Sequence, residues 1–287
     1  MTEEQPLKGK NRSSLEKFYT KSDVVDLCMQ ELKTHLEIKK DDVIIEPSAG
    51  NGAFISAIQK LSDFCICLDI DPPISLISLS YSIFNPILKR DYLSYDIPEM
   101  KPSQNYHVIG NPPFGKQSKT AIQFIKKSAQ FAKSISFILP KSFKKTSMKR
   151  AFPAHFHLIK EIDLPEKSFT IENVEHNVPC IFQIWQKMDY IRPATSILEP
   201  SGYIFVKRCG IPDISIRRVG VYAGKIDTET QSKNEESHYF IQFLCKTEEK
   251  KKKIEALKKA TFEHNNTVGP KSISKQEFIA KYNQCFV

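Results

Sequence analysis

The chain has 287 residues, 40% hydrophobic and 26% charged, which is enough for one sizeable core with a smaller appendage and argues against a disordered or fibrous protein. It carries 42 Lys and Arg against 33 Asp and Glu, with 17 against 11 of these after Tyr190, so the back end suits a polyanionic partner. No run approaches a membrane span and residues 1–12 are polar and charged, so neither a transmembrane segment nor a secretory leader is expected and an intracellular setting, cytoplasmic or nuclear, is. The seven cysteines form no C-x-x-C and no zinc spacing, so no metal is expected and the thiols read as reduced.

In chain order, residues 1–14 read as a flexible arm. Phe18-Tyr19-Thr20 precedes a helix whose Val25, Cys28, Met29, Leu32 and Leu36 share one face. A hydroxyl of Thr20 or Ser22 is expected to cap it. The same segment is also read as closing over a cofactor, with Thr20 near its carboxylate. Val43-Ile44-Ile45 is a short strand running into Glu46-Pro47-Ser48-Ala49-Gly50-Asn51-Gly52 and then a helix with Phe54, Ile58 and Leu61 inward. Strand, glycine turn and helix let backbone approach a nucleotide closely. With no third glycine and no following Lys, neither the dinucleotide fingerprint nor a phosphate loop is matched. A cofactor without phosphate fits better, and S-adenosylmethionine is one.

The next strand, Cys65 to Asp71, places both cysteines on one side and ends in acids at the edge where open α/β sheets bind ligands. Asp69 is assigned the ribose hydroxyls, with Ile70 beside it. Asp91 follows a third strand and is assigned the adenine amine of the cofactor, with Tyr92 or its neighbour stacking. A fourth strand, Tyr106 to Ile109, delivers Asn111-Pro112-Pro113-Phe114.

That last stretch carries the chemistry. An aromatic amine is a poor nucleophile because its lone pair is delocalised into the ring. Two acceptors aimed at its N–H bonds, the Asn111 side-chain oxygen and the Pro112 carbonyl, stabilise positive charge as it develops on nitrogen. Pro112 and Pro113 stiffen the turn and offer no competing N–H, while Phe114 supplies a flat face for a base. Farther on, Ser134 to Pro140 reads as a fifth strand. The basic run 141–150 is read either as a solvated face or as a phosphate contact. Two more strands, Leu158 to Leu164 and Pro179 to Lys187, close the sheet, with Phe169 and the loop 172–177 expected to overhang the substrate.

Taken together, Phe18 to Thr20, Glu46 to Gly52, Asp69, Asp91 to Leu93 and Asn111 to Phe114 resemble, in that order, the gamma-type N6-adenine DNA methyltransferases. The resemblance covers about residues 15–188. It implies a Rossmann-like seven-stranded α/β sheet, S-adenosylmethionine as donor bound around Tyr19, Thr20, Glu46, Ser48, Ala49, Gly50, Gly52, Asp69, Ile70, Asp91, Tyr92 and Asn111, a flipped base and direct transfer to adenine N6. DNA is favoured over RNA as the nucleic-acid partner. The sequence Asn111 to Lys116 also looks like ribosomal RNA adenine-N6 enzymes, and guanine-N2 enzymes share the motif. A catalytically inactive binding subunit of the same fold is a further alternative, and a partner subunit is left open. On this reading 15–190 is the methyltransferase domain and 191–287 a small basic α+β appendage, for substrate recognition or capping, with strands near 202–206, 214–219 and 238–243 and helices near 248–260 and 275–283.

Overall fold

The computed structural model describes residues 18–73, 87–98, 103–171, 174–194, 196–262 and 271–286. The expected arm at 1–14 lies outside them. The chain divides into two units, Met1–Arg192 and Pro193–Val287.

In the first unit, a two-residue strand β1 (Tyr19–Thr20) leads into α1 (Ser22–His35). There follow β2 (Val43–Glu46), α2 (Ile55–Gln59), β3 (Phe64–Asp69), β4 (Ile87–Lys89), β5 (Tyr106–Gly110), α3 (Lys119–Phe131) and β6 (Ser134–Pro140). The short α4 (Thr146–Lys149), β7 (Phe156–Asp163), β8 (Phe169–Ile171), β9 (Val174–His176) and β10 (Cys180–Lys187) complete it. Seven strands form one sheet in the order β4-β3-β2-β5-β6-β10-β7. The first five run parallel, and β10 returns antiparallel between β6 and β7. The expected Rossmann-like methyltransferase sheet, with its closing hairpin, is therefore the fold.

Side-chain alternation along the strands builds two cores. Ile44, Cys65, Cys67, Ile109 and Ile138 face α1 and α2, meeting Val25, Cys28, Leu32 and Ile58. Their neighbours Val43, Ile45, Val108, Ile135 and Phe137 face the other way, onto Ala121, Phe124 and Ile125 of α3. Because both faces are covered, β5 and β6 are buried throughout and read as unbroken apolar runs. Cys65 and Cys67 share a face, as their spacing requires.

Two expectations fail locally. The residue before α1 is Lys21, and neither Thr20 nor Ser22 caps the helix. The acceptor at that end is the Asp23 carboxylate, which takes the Val24 N–H at 3.0 Å. The segment expected as an overhanging loop instead contributes β9, which pairs with β8 and, through β8, joins β1 in a three-stranded antiparallel sheet; residues 172–173 lie outside the described residues. Phe169 is buried in it, with its ring edge-on to Phe18.

The second unit contains β11 (Tyr203–Val206), β12 (Ile214–Arg217), β13 (Ile226–Asp227) and β14 (His238–Phe243), all antiparallel in the order β11-β14-β12-β13. Helices α5 (Thr247–Lys259) and α6 (Lys275–Phe286) pack on it through Leu257, Phe278, Ile279 and Tyr282.

Candidate active site

Strand order reverses between β2 and β5, and these neighbouring strands end at Glu46 and just before Asn111, the usual ligand position in an open parallel sheet. After Glu46 the chain turns through Gly50 (φ +56°) and Gly52 (φ +81°). At Gly50 an L side chain would be strained by the backbone alone. The Gly50 N–H donates to Asp69 Oδ2 at 2.7 Å, while Asp69 Oδ1 accepts the Asp71 N–H at 2.8 Å. Asp69 thus ties the glycine turn to the end of β3, and Ile70 beside it is 55% exposed. The Tyr19 ring lies against Gly50, at 3.4 Å from where a Cβ would sit. The Ala49 N–H donates to the Leu68 carbonyl, locking the turn from the other side.

Asn111 is held from three directions. Ser48 Oγ donates to its main-chain carbonyl at 2.9 Å. Its Nδ2 donates to Thr20 Oγ1 at 3.2 Å and to the Phe18 carbonyl at 3.4 Å. A main-chain carbonyl can only accept, so Phe18 fixes which end of the amide points toward it. Asn111 Oδ1 then points elsewhere, buried and without a hydrogen-bond partner. Pro112 is buried, Pro113 and Phe114 are partly buried, and Phe114 packs on the α1 side of the core.

Glu46 is the second orphan. Its side chain is buried, its Oε2 has no partner, and burial, reinforced by the negative charge of Asp69, holds its carboxyl well above the ordinary value of 4.5. Buried polar atoms are almost always paired, so bare oxygens at the ends of two neighbouring strands mark a place where a polar ligand can complete the bonding. These acceptors suit a cofactor with ammonium, hydroxyl and amine donors, which is the donor set of S-adenosylmethionine.

The structure separates the pair Asp91 and Tyr92. Asp91 is exposed, with Oδ1 capping the Leu93 N–H at 2.9 Å. Tyr92 is a correction: its ring packs on Phe124 in the core and its hydroxyl meets Ser128 Oγ at 2.7 Å, so no ring face is left for a purine. The basic run is largely spent within the unit. Lys141 and Lys144 grip Asp163 at 3.0 and 2.6 Å, and Lys149 pairs with Glu161 at 2.9 Å. The sheet of β1, β8 and β9, which positions Phe18 and Thr20 against Asn111, is what the sequence reading missed. Its strands are too short for any periodicity to announce them.

A mostly parallel seven-stranded sheet with this glycine turn is the fold of an α/β methyltransferase. A model of the ribosomal RNA adenine dimethylase family matches residues 10–154, and the chain belongs to that family. It is an S-adenosylmethionine-dependent methyltransferase of nucleic acid. The family matched is thus one of ribosomal RNA enzymes and not the gamma-type DNA class. No curated protein matches the chain. Among solved structures, a Pyrococcus horikoshii protein taken for an RNA methyltransferase is 16% identical, over 63% of this chain and 93% of its own, at a TM-score of 0.48. The 23S rRNA methyltransferase ErmE is 12% identical, over 60% and 71%, at 0.42. An rRNA methylase from Streptococcus thermophilus is 12% identical, over 57% and 94%, at 0.39.

Proposed function

We propose that this chain methylates the exocyclic N6 amine of adenine in RNA. The observation that carries the chemistry is the buried, unpartnered Oδ1 of Asn111, held by a side chain whose Nδ2 is already committed to Thr20 and Phe18. In this role Oδ1 accepts one N–H of the target amine and the Pro112 carbonyl accepts the other. Oδ1 is held by those two bonds and the Pro112 carbonyl lies in a turn stiffened by two prolines, so charge developing on nitrogen meets dipoles that need little reorganisation. Phe114 takes one face of the base, which has left its stack at a cost of about a few kcal/mol in a duplex and less in a single strand.

Tyr19, Glu46, Ser48, Ala49, Gly50, Gly52, Asp69 and Ile70 hold the cofactor, Thr20 orients Asn111, and Asp91 is assigned the adenine amine of the cofactor. When bound, S-adenosylmethionine supplies an electrophilic methyl group on a positively charged sulfur. Asp69 keeps a lone pair on each oxygen beyond its backbone bonds and takes the ribose hydroxyls, and Ile70 offers the adjoining apolar surface. Membership of a ribosomal RNA adenine family supports RNA over DNA and adenine over guanine.

The test is transfer of isotope-labelled methyl from S-adenosylmethionine to structured RNA, single-stranded RNA and matched DNA, followed by nucleoside mass analysis. Label in N6-methyladenosine or its dimethylated form from RNA is the expected result. Label confined to DNA, or to guanosine, overturns the proposal.

A further inference from the structure

The hairpin 218–225 joins β12 to β13 in the C-terminal unit, and its tip carries Val221 and Tyr222, 80% and 68% exposed. Large apolar side chains on a loose loop would mean little, but this one is tied down. The Arg217 N–H donates to the Lys225 carbonyl at 2.9 Å and the Gly224 N–H to the Arg217 carbonyl at 2.7 Å, while the Gly220 N–H reaches Lys271 O at 2.8 Å. Beside the tip opens a cavity of about 330 Å³ whose lining includes Arg217, Tyr222, Lys225, Lys233 and His238. Its one acid, Asp227, is paired with Lys233 at 2.8 Å, so Arg217 and Lys225 leave net positive charge. The lining segment around Lys233 is also held, since the Arg208 guanidinium donates to the carbonyls of Gln231 and Lys233.

A fixed cationic cavity beside a presented aromatic face is chemistry for a nucleotide. Guanidinium and ammonium groups take the phosphate, and an exposed tyrosine stacks on any base because every base has a π-face. A duplex hides those faces, so the partner is a single strand. We propose that this cavity is a subsite for single-stranded RNA, with the phosphate on Arg217 and Lys225 and the base against Tyr222. The proposal rests on the reading of the chain as an RNA methyltransferase. The family match ends at residue 154, so the family does not assign it.

The test uses the full chain as wild type and as the double variant Tyr222→Ala, Lys225→Gln, two exposed side chains whose loss leaves the fold intact. Binding of a labelled single-stranded RNA, and of DNA of the same sequence, is followed by fluorescence anisotropy across a salt series. S-adenosylmethionine binding and RNA methylation are measured on the same samples. The RNA Kd is expected to rise about fivefold or more in the variant, the equivalent of a stacking loss of about 1 kcal/mol or more. The slope against salt should fall by about one for the lost cation. Cofactor affinity should stay at the wild-type value. An unchanged RNA Kd and salt slope in a chain that does methylate RNA overturns the subsite alone. A loss seen for DNA and not for RNA overturns the RNA assignment. Wild-type methylation of DNA without RNA overturns the parent reading, and the subsite as an RNA site with it.

Discussion

Thr20 and Asn111 stand 91 positions apart in the chain, yet Asn111 Nδ2 donates to Thr20 Oγ1 at 3.2 Å. That bond, with the one to the Phe18 carbonyl, turns a flexible amide into an acceptor facing one way. Thr20→Val keeps the shape and removes the acceptor. One neutral hydrogen bond is worth about 0.5–1.5 kcal/mol, so kcat should fall about two- to tenfold with little change in cofactor Kd. Steady-state kinetics beside calorimetry separates the two. An equal loss in both would place Thr20 in cofactor binding instead.

Gly115 follows the motif at φ +68°, where a Cβ would lie 2.2 Å from Thr120 Oγ1 and 3.0 Å from its Cβ. Gly115→Ala therefore meets both backbone strain and a clash with the first turn of α3. A destabilisation of about 2–4 kcal/mol is expected, visible as a lower urea midpoint with an unchanged slope. Activity should drop at temperatures where the variant is still folded, because Phe114 sits directly before the displaced residue.

Glu46 predicts a pH dependence. Its carboxyl is held up in the folded chain and has its ordinary value in the unfolded one, so the unfolded state loses its proton first as pH rises. Stability is then full below the ordinary carboxylate range and falls as pH rises through it, until the folded group ionises too. Glu46→Gln cannot titrate. Measured without cofactor from pH 4 to pH 8, the melting temperature of the variant should gain steadily on that of the wild type. A constant difference across the range would mean that the Glu46 carboxyl titrates alike in the folded and unfolded chains.

Asp163 behaves in the opposite sense. Burial pushes its carboxyl up, but hydrogen bonds from Lys144 and Lys141 outweigh that and hold it below the usual range. Its contribution is present at neutral pH and lost as pH falls through the lowered value. Asp163→Asn should therefore destabilise at pH 7 and differ little from wild type in acid, as thermal melts at both pH values would show. It should also free two lysines and tighten non-specific RNA binding at low salt.

The sheet was legible because its central strands are largely apolar runs and three of them end in a recognisable signal, Glu46 to Gly52, Asp69 or Asn111 to Phe114. These signals are local, and local chemistry survives in sequence. What was not legible is contact between distant short segments. Tyr19 pairs with Thr170 in a strand of two residues, which leaves no period to read. Tyr92 next to Asp91 looks like a stacking residue until the fold turns it onto Phe124 and Ser128. The cations at Lys141, Lys144 and Lys149 look free until β7 brings Asp163 and Glu161 across from them. The preference for DNA failed for a related reason, since the ordered motifs describe amine chemistry and are shared by enzymes of both polymers.

The most direct measurement is the single-turnover rate of methyl transfer to RNA adenine for wild type and Asn111→Ala, with cofactor Kd taken in parallel. Loss of a pre-aimed acceptor for charge in the transition state predicts a rate lower by about 10²–10³, with cofactor affinity held within a few-fold. A variant that transfers methyl at the wild-type rate would contradict the assignment of Asn111 Oδ1 as the acceptor that makes the amine reactive.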